Sequence, residues 1–587
     1  MDPRTAAHTL SQIAAFLELN GESAFKSRAY HAAAKAVQAI DTEDLGPILR
    51  SGELERMPGL GPASVAVVRD LVETGDSSLL ERLRESTPEG LIEMLRVPGL
   101  GTAKIHRIHQ GLGIETLQEL EDAARDGRLA ELPTFGPKTA ERVLKGIAFL
   151  RESDAQVLYP HAHAEARRLL NAVAAHPDVS RAEIAGAVRR RNETIREIVI
   201  VAACRTSPTQ VAASFAHAPG VRALAGGGGR AVQVRYVDGT LLDLRCVLEP
   251  EFALAFWRAT GGETHVEGVL ARLAARGIVV ANDQLRDAMG LVLPVPDEPA
   301  IYARAGLAYV PPELREGLGE LDAAANGSLP RLIEPGDLRG VLHAHSHFSD
   351  GESTIEDLVR AARARGWRYV GITDHSQSAF YAGGLSRESV QRQHDEIDRL
   401  NAQQPDGFRI LKGIEADILP CGRVDYDGQT LDQFDYVIGS VHSRFGMSER
   451  QMTDRVLKAL DDPHLTVLGH PTGRLLLTRA PYAIDMHAVI EKAAETGTAI
   501  ELNADPHRLD LDWRLCRVAR ERGVRIEIGA DAHSVHGLDN MTLGVAIARK
   551  GWLEAADVVN TLDADGVLAF AAAKRAGQSA GAPAGTP

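Results

Sequence analysis

The chain has 587 residues, of which 44% are hydrophobic and 25% charged, with a formal net charge of -15. That length has room for about three or four domains with proper cores, and the composition is that of ordinary globular protein. It excludes a membrane-spanning helix, because no run of about eighteen apolar residues occurs, and the four scattered cysteines, Cys204, Cys246, Cys421 and Cys516, exclude a disulfide framework or a thiolate zinc site. The start, Met1-Asp-Pro-Arg, lacks a basic region followed by an apolar core, so a cytoplasmic location and a monomer are the default expectations. The negative charge rules out a basic coat, yet leaves room for nucleic acid held by backbone amides and local patches.

The first 150 residues read as short helices broken by glycine turns. Three breaks are alike: Met57-Pro-Gly-Leu-Gly-Pro62, Val97-Pro-Gly-Leu-Gly-Thr102 and Leu132-Pro-Thr-Phe-Gly-Pro137, each flanked by helical periodicity. A glycine turn at a helix N-terminus lets backbone N–H groups approach a phosphate with no side chain in the way. Glycine also caps helices for structural reasons alone, but three similar turns favour a phosphate-binding role. Gly59, Gly61, Gly99, Gly101 and Gly136 are therefore candidate contacts to a nucleic acid backbone, with Lys104 and Lys138 following their turns. The third turn carries Thr134 where the others carry glycine.

Between Val341 and Ser534, apolar runs end repeatedly in histidine or an acidic residue. The runs are Val341-Leu-His-Ala-His345, Tyr369-Val-Gly-Ile-Thr-Asp-His375, Leu411-Lys-Gly-Ile-Glu415, Tyr436-Val-Ile-Gly-Ser-Val-His442, Thr466-Val-Leu-Gly-His470, Ala499-Ile-Glu-Leu-Asn503 and Ile526-Glu-Ile-Gly-Ala-Asp-Ala-His533. In a barrel of parallel strands, side chains at the C-terminal strand ends converge on one face. His343, His345, Asp350, His375, Glu415, His442, His470, Asp531 and His533 would then meet in one pocket. Imidazole with carboxylate suits zinc, manganese or iron. Closely spaced ions activate water and offset the charge of a phosphate ester, so metal-assisted phosphoester hydrolysis is the natural chemistry.

This segment resembles the polymerase-and-histidinol-phosphatase (PHP) phosphoesterases, through His343-Ala-His345 with Ser349-Asp-Gly351, Thr373-Asp-His-Ser376, Gly413-Ile-Glu415, Ser440-Val-His-Ser443, Gly469-His-Pro471 and Asp531-Ala-His-Ser534. The resemblance implies a distorted seven-stranded barrel with a trinuclear zinc or manganese site whose nine ligand positions are all filled here. It also implies that Glu415 bridges two metals, that His375 and Asp350 take part in catalysis, and that Arg474 contacts the substrate phosphate. Val341 stands where the family often has Asp, away from any ligand position.

The three turns look like helix-hairpin-helix motifs, which grip the DNA backbone. The whole N-terminal half resembles the bacterial X-family DNA polymerases that carry a C-terminal PHP domain: Asn20-Gly-Glu-Ser-Ala-Phe-Lys-Ser-Arg-Ala-Tyr30 matches their first domain, Gly186-Ala-Val-Arg-Arg-Arg-Asn-Glu-Thr-Ile195 and Leu242-Asp-Leu-Arg245 their palm, and Tyr309-Val-Pro-Pro-Glu-Leu-Arg-Glu316 the segment leading to the PHP domain. The fold expected is therefore multidomain: an α-helical helix-hairpin-helix region (1–150), an α+β nucleotidyltransferase-like palm and thumb (151–320), a linker (321–337), a distorted (β/α)7 PHP barrel (338–575) and a disordered tail (576–587).

Nucleotidyl transfer needs three carboxylates on adjacent strands to hold two magnesium ions about 4 Å apart. The family's Asp-x-Asp pair appears here as Glu197 and Val199, and only Asp243 keeps the third position. Valine offers no oxygen to a metal, so magnesium at the palm is not expected and polymerase activity is doubtful. The Gly-Ser turn for the triphosphate reads Gly186-Ala187, the Thr-Gly-Ser segment reads Thr260-Gly-Gly262, and the Asn after His265 is Val266. Arg189 and Arg190 remain as a solvated pair or as phosphate contacts. A lyase lysine is also missing, since Ala63 and Val67 occupy the expected positions and Lys26 and Lys35 lie elsewhere.

The leading expectation is a DNA-directed, manganese- or zinc-dependent phosphodiesterase: a 3′-to-5′ exonuclease with abasic-site incision as a second reaction, serving DNA repair. A still active repair polymerase, a small-molecule phosphatase of the histidinol phosphate type and a non-catalytic DNA-binding scaffold stay open.

Overall fold

The computed structural model describes residues 1, 3–38, 40, 44–154, 156–236, 239–281, 283–404 and 406–577. The expected tail falls almost entirely outside the described residues. The chain divides into two compact units, residues 1–155 and 156–587.

The first unit is helical. Its three turns lead into α1 (Pro62–Thr74), α2 (Thr102–Leu112) and α3 (Pro137–Asp154). Each turn needs one residue in the left-handed region, and Gly59 (φ 93°), Gly99 (φ 85°) and Thr134 (φ 73°) supply it. Thr134 therefore adopts the geometry of the two glycines at some steric cost. Gly61 and Gly101 are the N-caps of α1 and α2, and a side chain at Gly61, Gly101 or Gly136 would point into open space. The helices bury apolar stripes such as Val65, Val68 and Leu71 on α1 and Ile105 and Ile108 on α2.

The second unit opens with a five-stranded mixed sheet. Its strands are β1 (Val179–Ile184), β2 (Ile198–Cys204), β3 (Val221–Gly228), β4 (Ala231–Tyr236) and β5 (Leu241–Leu248), in the spatial order β1-β2-β5-β4-β3. Strands β2 and β5 run parallel at the centre, and Val199 pairs in register with Asp243. Every residue of β2 is buried, as a near-continuous apolar run in a covered strand requires.

Seven further strands form the second sheet: β6 (Gly340–Val341), β7 (Tyr369–Ile372), β8 (Arg409–Asp417), β9 (Tyr436–Ser440), β10 (Leu465–Leu468), β11 (Ala499–Asn503) and β12 (Ile526–Gly529). They pair in sequence order and all in parallel. The near-closed barrel is completed beyond the strand ends, where Ala344 bridges Ala532 and the His345 N–H donates to Ala532 O at 2.8 Å. These contacts, with the Ala532 N–H donating to His343 O at 3.4 Å, bring His343-Ala-His345 beside Asp531-Ala-His533.

Palm and barrel belong to one compact unit, and the segment read as a linker is part of it: Ile333 is fully buried in the barrel core and Leu332 bridges Glu554. No helix among the described residues is long and apolar enough to cross a membrane.

Candidate metal centre

All nine residues singled out at the strand ends lie at the C-terminal end of the barrel. Glu415, at the end of β8 and fully buried, is the hub: its oxygens lie 3.0 Å from His470 Nε2, 3.4 Å from His442 Nε2, 2.9 Å from His375 Nδ1 and 3.7 Å from both His343 Nε2 and His345 Nε2. Asp531 lies 3.3 Å from His345 and 3.6 Å from His343. Asp350 lies 3.4 Å from His533 and 3.6 Å from His375. Three overlapping groups can converge on a cation among the described residues: His345, Asp350, His375 and His533; His343, His345 and Glu415; and His375, Glu415 and His442.

The donor set fits divalent ions on physical grounds. His343 Nε2 and both ring nitrogens of His345 are buried without a hydrogen-bond partner among the described residues, a costly state that a cation relieves. Burial pushes Glu415 and Asp531 up, but the imidazoles around them outweigh it and hold both carboxyls well below their ordinary range. Burial, reinforced by the neighbouring His375, pushes His345 down to about 3, so its ring is neutral with a lone pair to offer. His470 (φ 20°) and Asp531 (φ 48°) carry left-handed backbone, as residues at functional sites often do.

A second layer of acids and amides orients these ligands, and most of it is not a ligand signal in the sequence. Glu501 on β11 accepts from His343 Nδ1 at 2.5 Å and from the His470 N–H at 2.5 Å. Asp417 holds His442 Nδ1 at 2.8 Å. Asn503 Nδ2 donates to Asp531 at 3.0 Å. Asp374 accepts from the Ser346 N–H at 2.8 Å and from the hydroxyls of Ser346 and Ser349 at 2.5 Å, pinning the loop between His345 and Asp350. Such partners fix the tautomer and direction of the ligating nitrogen. The clue available in the sequence was that Ala499-Ile-Glu-Leu-Asn503 ended in polar residues yet supplied no ligand.

Arg474 departs from expectation. Its guanidinium is taken up by Asp512 (2.8 Å), Glu193 of the palm (2.6 Å) and the Arg508 and Leu509 carbonyls. The arginine at the cluster is Arg508, whose Nε lies 3.3 Å from Asp531. The cause is the chain after β11, which folds back so that the Asn503 N–H donates to Asp510 O at 2.6 Å. That turn puts Arg508 by Asp531 and Asp512 by Arg474.

The palm offers a different picture. Val199 is buried and packs against Gly186, where an added Cβ would lie 2.7 Å from a valine methyl. Asp243 is answered by Arg245 of its own strand at 2.8 Å and 3.1 Å. Burial, and then the Asp243 charge, push Glu197 up. Arg189 and Arg190 are neither solvated nor free: Arg189 forms a fork on Glu298 at 2.6 and 2.8 Å, and Arg190 binds Glu316 at 2.9 Å and the Thr260 carbonyl at 2.8 Å. In the helical unit Lys104 donates to Gly99 O at 2.8 Å, Lys138 is exposed, Val67 is buried and Lys26 pairs with Glu22 at 3.0 Å.

Comparison with known proteins matches these regions. Residues 342–505 match the PHP domain family, residues 91–148 the SAM-like helix-hairpin-helix tandem and residues 1–77 the helix-hairpin-helix domain. A protein of Bacillus subtilis described as DNA polymerase/3′-5′ exonuclease PolX is 34% identical over 573 residues, 97% of this chain and 99% of that protein. The chain belongs to the X-family DNA polymerases that carry a PHP domain. Proteins described as probable phosphatases, from Caldanaerobacter subterraneus and Syntrophotalea carbinolica, are each 31% identical over 33% of this chain, covering 77% and 79% of their own lengths. In this X-family member the PHP match stops at residue 505, whereas Arg508, Asp531 and His533 lie beyond it and close the centre.

Proposed function

We propose that this protein is a DNA-binding, metal-dependent phosphodiesterase that removes nucleotides from 3′ ends, and that its palm no longer polymerises. The observation that carries the reading is an asymmetry between two sites on one chain. In the barrel, Glu415 faces five imidazoles, and His343 Nε2, both nitrogens of His345 and His375 Nδ1 are buried with no hydrogen-bond partner among the described residues; in the palm, Asp243 faces Val199 and is paired with Arg245. The Bacillus relative is described as both a DNA polymerase and a 3′-5′ exonuclease, and the residues here support the second.

Manganese or zinc, up to three ions, would be held by His343, His345, Asp350, His375, Glu415, His442, His470, Asp531 and His533; when bound, such ions activate water and offset charge on the phosphate. Glu501 and Asp417 accept from the Nδ1 atoms of His343 and His442, leaving each Nε2 directed toward Glu415. Arg508 supplies a fixed positive charge beside Asp531, suited to a phosphate oxygen. The helix N-termini at Gly61, Gly101 and Gly136 have open space where a side chain would stand, which lets a DNA backbone approach them closely. Incision at abasic sites uses the same phosphodiester chemistry and would serve repair, in the cytoplasm.

Purified protein given manganese and a 3′-recessed duplex should shorten the recessed strand. Hydrolysis of a phosphomonoester with no shortening of duplex or single strand overturns the reading in favour of a small-molecule phosphatase. A gapped primer supplied with nucleotides and magnesium should stay unextended, and appreciable extension would show that Glu197 and Asp243 suffice.

A further inference from the structure

The segment following His375 holds two aromatic rings out of the protein at the rim of the metal centre. Phe380 is 86% exposed and Tyr381 62% exposed, on a single 3-10 turn. Their exposure is built in by the loop. The Leu385 N–H returns to His375 O at 2.8 Å, the Ala379 N–H to Ser376 O at 3.0 Å, and the Ala382 and Gly384 N–H groups to Ala379 O at 2.9 and 3.1 Å. From outside the loop, Tyr426 Oη accepts from the Gln377 N–H at 3.2 Å and Asp425 accepts from the Ser378 N–H at 2.8 Å. Ala379, Ala382 and Leu385 are buried beneath the turn. At Gly384 a Cβ would lie 2.0 Å from Ser376 O, so only glycine fits the return of the chain without shifting this arrangement. A loop anchored so fully, with its small and aliphatic residues packed inward, gains nothing for folding by holding two large rings in water.

The rings are placed for a ligand of the centre. Tyr381 has its centroid 6.5 Å from that of His375 and 6.5 Å from that of His442, so it borders two of the metal-binding groups. Phe380 stands 6.0 Å from Tyr381 at 77°, edge to face, so the two rings present faces in different directions. Arg508, on the segment after β11, stands 3.3 Å from Asp531 of the centre, whereas the rings come from the segment after β7. The mouth of the centre thus combines a fixed cation, suited to phosphate, with flat apolar faces.

We propose that Phe380 and Tyr381 are a stacking platform for the terminal nucleobase of the strand whose phosphodiester occupies the metal centre. The proposal rests on the phosphodiesterase reading and names the substrate feature that the barrel itself recognises. Every base has a π-face, so stacking holds a strand end without reading its sequence, in keeping with hairpins that offer backbone amides rather than base-reading side chains. A small aliphatic phosphomonoester has no face to offer.

The test compares kcat/KM of the wild-type protein and the Phe380→Ala/Tyr381→Ala variant, with manganese, on single strands of one length ending in adenine, thymine or an abasic sugar. The wild type should favour them in that order. The double variant should lose about 5- to 150-fold on the adenine-ended strand, the effect of removing base–aromatic stacking, and fall to near the wild-type rate on the abasic end. Tyr381→Phe, which keeps the ring, should retain the preference. Equal loss on the adenine-ended and abasic strands, or no loss on either, overturns the proposal. Wild-type cleavage that ignores the terminal base overturns stacking alone, whereas a wild type that cleaves no strand overturns the phosphodiesterase reading and this proposal with it.

Discussion

Asp243 in the palm and Glu415 in the barrel are both carboxylates buried on parallel strands, and their neighbours give them opposite uses. Arg245, two residues along the same strand, reaches back to Asp243 with two N–H groups and cancels its charge within the sheet. Around Glu415 the neighbours are five imidazoles on four other segments, side chains that ligate a cation when neutral rather than cancel the acid. A buried acid is therefore a poor guide to a metal site by itself, because an arginine on the same strand can take up its charge instead of an ion. What separates the two regions is whether the surrounding groups compete with a cation or join in holding it.

The comparison breaks first at the barrel. Asp531→Asn should lower nuclease activity on the order of 1,000-fold and reduce bound metal, since it removes charge from the centre of the ligand set; rate measurements with metal analysis check this, and persistent cleavage would move the chemistry elsewhere. Arg474→Ala should act on stability instead. It removes the close guanidinium partner of Glu193 and leaves Asp512 with Arg514 alone, a cost of about 3–5 kcal/mol for breaking a largely buried pair, read in denaturant unfolding.

A third effect is pH-dependent and belongs to the palm. Burial pushes Glu298 up, but forks from Arg189 and Arg315 outweigh it and hold it at about 2 against an ordinary 4.5. A folded value below the unfolded one means the unfolded chain binds the extra proton. The contribution, about 3 kcal/mol, is thus fully present above 4.5 and is lost as pH falls towards 2. Unfolding measured across that window should show the loss, and Glu298→Gln should flatten it. Smaller still, Glu501→Gln or Asp417→Asn should cost about 10- to 100-fold in metal affinity or activity, the usual price of losing a ligand's orienting partner, with His343 or His442 still in place. At the bottom of the scale, Asp243→Asn should leave the nuclease rate within about twofold; a large loss would mean that the palm and barrel sites are not chemically separate.

The candidate ligands of the barrel were legible because nearly all of them, Asp350 apart, stand at the close of an apolar run, and a parallel barrel has one place for strand ends to go. The hairpin turns were legible too: their glycines mark left-handed positions that few residues tolerate, and Thr134 shows that the turn can be kept without one. The proposed loss of polymerase chemistry rests on Val199, whose side chain offers no oxygen beside Asp243. Less visible were the interactions that cross the chain. Arg474 follows His470 by four residues and looked like a phosphate contact, yet Glu193, 281 residues away in sequence, claims it. Arg508 carried no motif, and Glu501 and Asp417 look in sequence like any acids on a strand.

The sequence by itself determined which side chains are candidates to hold metal, where the turns fall and that Val199 stands beside Asp243 without a carboxylate, because these follow from residue type and local spacing. Only the tertiary structure decided which arginine stands at the centre, which acids orient the imidazoles, and that Phe380 and Tyr381 face solvent at its mouth. Those depend on how loops after β7 and β11 fold back over the barrel, and a loop's path is set by hydrogen bonds to segments distant in the chain.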